Sequence, residues 1–224
     1  MTDLTAQQQN AGANLPETIP VFPLNEVLLL PRGRLPLNIF ENKYLKMVDD
    51  ALANGRLIGM VQLTQSTAGA GSVAAPIHKT GCVGRISYFE ETDDGRYLIN
   101  LTGVCRYDII DEMTDSTTPY RRVHADFSPY TDDLFKNGAQ IDNMDGLLKT
   151  LDLYFNKMDM TCEKWHKLQN IDQEKLIATL SMVCPFSTRE KQALLEASCV
   201  KTRAELLQAM MEMAIREYDT NNRH

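Results

Sequence analysis

Three prolines interrupt the apolar stretch VFPLNEVLLLPRGRLPLNIFENKY, Val21 to Tyr44. Pro23, Pro31 and Pro36 each lack a backbone N–H, which restricts them to sheet edges, bulges and turns. The segment therefore reads as several short strands. Val27 to Leu30 is expected to form a buried strand. Arg32-Gly33-Arg34 is expected to form an exposed turn, with the apolar pattern resuming from Leu35 to Phe40. Strands that turn corners in this way describe the wall of a barrel.

The next segments alternate between periods. Tyr44, Leu45, Met47, Val48, Ala51 and Leu52 recur at helical spacing, and Gly55 stands where a left-handed cap would end the helix. Arg56 to Leu63 reads as a strand, followed by the small-residue loop STAGAGSVAAP. The block GCVGRISYFEETDDGRYLINLTGVCRYDIIDEM alternates β-formers with polar residues around Asp94-Gly95, a hairpin signal. PYRRVHADFS, Pro119 to Ser128, closes the β part, and the charged and small residues that follow suit a linker.

After Ile141 the period changes. Ile141, Met144, Leu148, Leu151, Phe155 and Met158 step by threes and fours, the pattern of an amphipathic helix. Further helices are expected at Gln173 to Val183, Thr188 to Ala197 and Arg203 to Tyr218. Ser187 with Glu190, and Thr202 with Glu205, have capping-box spacing.

Composition narrows the function classes. The 224 residues are 43% hydrophobic, enough for one good core or two modest ones. The net charge of -7 and pI near 5.1 offer no general attraction for phosphate backbones. No run is long and apolar enough to span a bilayer, and no secretory signal is evident, so the cytoplasm is expected. Five widely spaced cysteines do not resemble a secreted disulfide framework and read as reduced thiols. Residues 1–18, with few apolar groups, are expected to be a mobile tail.

Taken in order, VFPLNEVLLLPRGRLPLNIFENKYLKMVDDAL, the Gly81 to Ile86 strand, the Asp94-Gly95-Arg96 hairpin and Leu101-Thr102-Gly103-Val104-Cys105-Arg106-Tyr107 resemble the N-terminal, substrate-binding domain of Lon protease. The resemblance runs from Ile19 to Tyr218. It implies an α+β fold: a PUA-like β pseudo-barrel with one inserted helix, residues 19–129, then a linker, 130–140, and a C-terminal helical bundle, 141–220. Asn42-Lys43 departs from the Pro-Arg often found there, and Lys cannot reproduce the two-pronged pairing of Arg. The chain carries no G-x-x-x-x-G-K-[ST] phosphate loop and leaves no room for the ATPase and Ser-Lys peptidase modules of full Lon. Neither ATP hydrolysis nor peptide cleavage is expected.

Other chemistry has plainer readings. His78 with Cys82 and Cys162 with His166 are each four apart, but they fall in different expected domains, and unrelated core cysteines and surface histidines are favoured over zinc. Cys162 and His166 as nucleophile and base lack an orienting carboxylate. Gly69-Ala70-Gly71 lacks the spacing of a phosphate cradle. Met144, Met158, Met160, Met210, Met211 and Met213 read first as bundle core, second as an adaptable binding surface.

The resemblance implies a non-catalytic module, without cofactor or metal, that binds polypeptide clients or unfolded segments. It would deliver clients, as an adaptor, to a separate ATP-dependent protease or chaperone partner, or compete for them. Pro23, Leu24, Pro31, Leu37, Phe40, Glu41, Tyr44 and Arg106 stand in its motifs and are read as structural before binding residues. Glu41 and Arg106 are the expected ion pair. RNA binding by a PUA-like barrel is the alternative, which the acidic balance disfavours.

Overall fold

A computed structural model describes residues 15–64, 75–114, 117–135, 138, 140–159 and 172–221. The chain divides into two compact units, Met1–Asn137 and Gly138–His224.

The first unit is the barrel. Its elements are β1 (Thr18–Leu24), β2 (Arg34–Ile39), α1 (Asn42–Ala53), β3 (Leu57–Gln62), β4 (Thr80–Glu91), β5 (Tyr97–Glu112) and β6 (Arg122–Asp126), followed by a 3-10 helix at Ser128–Leu134. The strand order is β2-β5-β4-β3-β1-β6, and β6 also pairs with β5. Closure is possible because β5 is long enough to serve twice: residues 97–102 pair with β2, and residues 108–112 pair with β6. Among the described strands only β1 and β3 run parallel.

The prolines explain themselves in this topology. In β1, residues 18–20 pair with β6 and residues 21–24 pair with β3. Pro20 and Pro23 thus each have a neighbouring strand on one side only, the setting that tolerates a missing N–H. Val27 to Leu30 is not the strand its sequence predicts. Leu28, Leu29 and Leu30 are buried, but as irregular chain entered through Glu26, whose φ is 58°. Pro31 and Arg32 then form the corner of a turn closed by Gly33 N–H to the Leu30 carbonyl at 2.9 Å, with Arg32 left-handed at φ 63°.

That turn is half-buried rather than exposed, because it lies against β5. Arg32 N–H donates to the Gly103 carbonyl at 2.8 Å, and Gly103 N–H donates to the Gly33 carbonyl at 2.9 Å. A Cβ at Gly103 would collide with the Leu30 carbonyl, so this crossing requires glycine. Ladder bonds alternate along an antiparallel pair, so the next outward-facing residues of β2 are Arg34, Pro36 and Asn38. Pro36 therefore removes a donor from the free edge of the sheet, not from its interior.

Ile19, Val21, Val61, Val83, Cys105 and Tyr107 meet inside the barrel. The Tyr107 ring is admitted by Gly59 and Gly81, since a Cβ at Gly59 would stand 2.6 Å from its hydroxyl. The hydroxyl donates to the Met60 carbonyl at 3.3 Å.

Two boundaries differ from the sequence reading. Residues 15–18, assigned to the tail, join the barrel: the Glu17 carbonyl accepts from Ala125 N–H at 2.8 Å, and Leu15 packs on the core. Residues 130–134, assigned to the linker, belong to the 3-10 helix, because their charges are engaged rather than solvated. Asp133 takes Arg106 Nε at 2.8 Å, Nη2 at 3.0 Å and the Arg106 backbone N–H at 3.0 Å. The expected Glu41–Arg106 pair does not form; Glu41 is exposed and pairs with Lys43 at 3.1 Å.

The second unit contains α2 (Met144–Lys157), α3 (Gln173–Val183), α4 (Thr188–Glu196) and α5 (Val200–Asn221). The first three pack against α5. The buried stripe of α2 is Leu147, Leu151 and Tyr154, one residue offset from the expected Leu148 and Phe155, which are half-buried. The Ser187–Glu190 capping box is formed. The expected Thr202–Glu205 box is not, because α5 begins earlier: Arg203 N–H reaches the Cys199 carbonyl at 3.0 Å, which places Cys199 at the cap. Met210 and Met211 are core, while Met213 is exposed. No helix among the described residues is long and apolar enough to cross a membrane.

Candidate functional site

The outer face of β2, β5 and β4 leaves apolar side chains uncovered. Pro36, Leu37, Asn38, Tyr88, Leu98, Ile99 and Asn100 line an open pocket of about 310 Å³. It arises from strand register. Pro36 stands opposite Asn100, which stands opposite Tyr88; Asn38 stands opposite Leu98, which stands opposite Glu90. Residues aligned across a sheet share a face, and the bulge between Ile86 and Tyr88 keeps β4 in step. By the same alternation Leu35, Leu37, Ile39, Ile99 and Leu101 belong to the reverse face, where Tyr97 and the exposed Phe89 stack edge to face at 5.0 Å.

Apolar doublets in the sequence generate this two-sided character. In a half-buried strand only alternate residues need be apolar, so Tyr88-Phe89 and Leu98-Ile99 each place one apolar residue outside. Tyr88 is 47% exposed and donates its hydroxyl to the Glu90 carboxylate, which raises the phenol pKa. At the hairpin tip, Arg96 and Thr92 hydrogen bonds hold the Asp94 carboxyl down at about 2. Asn38 and Asn100 have no side-chain hydrogen bond among the described residues, leaving both carboxamides available as donors and acceptors.

Of the motif residues read from sequence, only Leu37 lines this pocket. Pro23 and Leu24 are half-buried in β1, and Pro31 is buried in its turn. Tyr44 packs its ring 4.2 Å from that of Phe22 at the start of α1, with the Lys43 ammonium 4.6 Å from the Tyr44 ring centroid. Phe40, expected in the wall, is 66% exposed just after β2. Arg106 is structural: buried, paired with Asp133, and set 4.6 Å from the Tyr130 ring. Tyr130 in turn donates to Asp108 at 3.0 Å, which also accepts from Thr80 at 2.8 Å. Together these bonds fasten the 3-10 helix to the barrel wall.

The buried thiols are the opposite of activated nucleophiles, whereas hydrogen bonds from Thr202 lower the exposed Cys199 thiol at the start of α5. Burial pushes the Cys105 thiol up to about 12, with the nearby Asp133 charge adding to it, and burial does the same at Cys184. Cys82 is buried in β4, and His78 stands half-buried before it. Among the described residues no group of three or more His, Cys, Asp or Glu could hold a metal. Cys162, His166, Met160 and the Gly69–Gly71 loop lie outside the described residues. In the second unit the pocket lined by Ile141, Asp142, Leu147, Lys201 and Gln208 is small, about 60 Å³.

A family profile described as the ATP-dependent protease La (LON) substrate-binding domain matches residues 18–213. The chain belongs to the Lon substrate-binding domain family. It is 25% identical over 221 residues to a Lon protease of Flavobacterium johnsoniae, covering 96% of this chain and 26% of that relative. With a Lon protease of Dictyoglomus thermophilum it shares 25% identity over 203 residues, 88% of this chain and 24% of the relative. The chain thus spans about a quarter of the length of these relatives. A crystal structure of a Lon N-terminal domain protein from Xanthomonas campestris matches with a TM-score of 0.60 at 20% identity, covering 86% of this chain and 97% of that one. The N-terminal domain of a Mycobacterium avium complex Lon protease matches with a TM-score of 0.58 at 14% identity, covering 87% and 98%. At these identities the structural matches establish the Lon N-terminal fold: an α+β chain with a six-stranded sheet and helices.

Proposed function

We propose that the chain is a binding module for exposed apolar segments of polypeptides, which it holds on the outer face of β2, β5 and β4. The observation that carries this reading is the open pocket of about 310 Å³, with Tyr88 and Pro36 exposed and Leu98 half-buried between them, on a chain of a substrate-binding family. Apolar side chains of a client fill the pocket, and the free carboxamides of Asn38 and Asn100 meet the client backbone. The module contributes no catalysis of its own and delivers clients to a separate ATP-dependent protease or chaperone. The free thiols Cys82, Cys105, Cys184 and Cys199 suit a reducing compartment such as the cytoplasm.

Anisotropy of a labelled, permanently unfolded polypeptide titrated with the protein tests the reading. Saturable binding that persists at high salt is expected, because apolar contacts release few counterions. Leu98→Asp places a charge in the pocket and should weaken binding about tenfold or more, as loss of a buried anchor does. Binding to labelled RNA alone, falling steeply with salt, would replace this reading with the phosphate-binding one.

A further inference from the structure

The pocket face has charges of opposite sign at its two ends. At one end Arg34 stands opposite Thr102, which stands opposite Arg85. Arg34 and Arg85 are both exposed. Arg34 has no ion pair among the described residues, and Arg85 bonds only the Gly55 carbonyl, at 2.7 Å, so neither cation is neutralised. At the other end Glu90 is exposed beside Leu98 and Asn38, and its carboxylate accepts only the neutral Tyr88 hydroxyl. The hairpin beyond it adds the exposed Asp93. Between the ends lie Pro36, Tyr88 and Leu98 with the two carboxamides. From Arg34 to Asn38 is four residues of strand, or about 13 Å.

We infer that this face selects extended segments bearing an apolar residue flanked by one acidic and one basic side chain about four residues apart. This rests on the proposed polypeptide-binding role and names the class of client within it. The complementarity is positional. The client's carboxylate lies over Arg34 and Arg85, its apolar side chain enters between Tyr88 and Leu98, and its cation reaches Glu90. An extended client spans the same length with the same number of residues, which sets the spacing. The net charge of -7 would by itself favour clients of net positive charge. The local arrangement favours a zwitterionic client over one with two cations, so the two causes make opposite predictions.

Competition anisotropy with the full chain and short synthetic peptides separates them. All peptides carry the same central leucine. The flanks are Glu and Lys, Gln and Gln, Lys and Lys, or Glu and Glu, in both chain directions. The zwitterionic peptide should bind about two- to fivefold tighter than the neutral one, as exposed ion pairs allow. Both like-charged peptides should be weaker than the zwitterion, and all differences should shrink at high salt. Glu90→Lys should shift the preference toward the doubly acidic peptide, and Arg34→Glu, which leaves Arg85 opposed by a carboxylate, should abolish the preference for an acidic flank. Equal binding of all four, or preference simply following peptide cationic charge, overturns this inference while leaving the polypeptide-binding role standing. Binding of none of them refutes both.

Discussion

Removing the Asp133 carboxylate should damage the barrel far more than its position after the last strand suggests. Asp133 accepts three hydrogen bonds from Arg106, from Nε at 2.8 Å and from Nη2 and the backbone N–H at 3.0 Å each. The Arg106 and Asp133 side chains are 6% and 12% exposed, so water can take over little of that bonding. Deleting one partner of a buried pair costs about 3–5 kcal/mol, whereas an exposed pair is worth about 0–1 kcal/mol. With a urea dependence of about 2 kcal/mol/M, Asp133→Ala should lower the barrel midpoint by about 1.5–2.5 M. Because the chain has two units, the readout should be local. Hydrogen exchange of β4 and β5 peptides across a urea series serves, with α5 as internal reference. The double variant Arg106→Met with Asp133→Leu should recover most of the loss, since desolvation of both charges is then relieved. A shift below about 0.5 M for Asp133→Ala would show that the pair behaves as a surface contact. The 3-10 helix would then not be part of the barrel's stability.

Gly103→Ala should lower the stability of the barrel by about 1–3 kcal/mol, because its Cβ meets the Leu30 carbonyl, which belongs to backbone and cannot rotate away. Thermal melting checks it, and an unchanged melting temperature would contradict the crossing described. Alkaline pH should destabilise both units. Burial raises the Cys105 and Cys184 thiols from 9.0 to about 12, and burial with the Asp50 hydrogen bond raises Tyr120 to about 12. Groups with raised folded-state values contribute fully below their unfolded values and lose that contribution as pH rises through the folded ones. Stability should therefore fall progressively from about pH 9 toward about pH 12 in a urea series, and Cys105→Ala should reduce the slope for the barrel. A flat profile across that window would refute the burial argument.

The α+β class, the barrel-then-helices order and the hairpin at Asp94-Gly95 were legible because each rests on local signals: proline placement, a change of hydrophobic period and turn chemistry. The Ser187 cap was legible for the same reason. What failed depended on contacts distant in sequence. Val27 to Leu30 has the composition of a strand, but its path is dictated by the turn that locks onto Gly103. Arg106 sits in a family-like motif, yet its partner Asp133 lies 27 residues away in a stretch whose charges read as solvated linker. The offset stripe on α2 arose because several apolar residues adjoin the true face, so periodicity alone left the register loose. The pocket was the least legible feature. Its residues come from three strands, and only their register brings Pro36, Tyr88 and Leu98 together. The doublets Tyr88-Phe89 and Leu98-Ile99 were the available signal, since strict alternation would have left the outer face polar.

The central question is whether polypeptide is held on that face. Amide NMR of the full chain, titrated with an unlabelled, permanently unfolded polypeptide at low and high salt, addresses it residue by residue. Shifts concentrated at Tyr88, Leu98, Asn100 and Asn38, saturating together and surviving high salt, are the predicted result. Saturable shifts confined to the helical unit, or no shifts at any concentration, would contradict it.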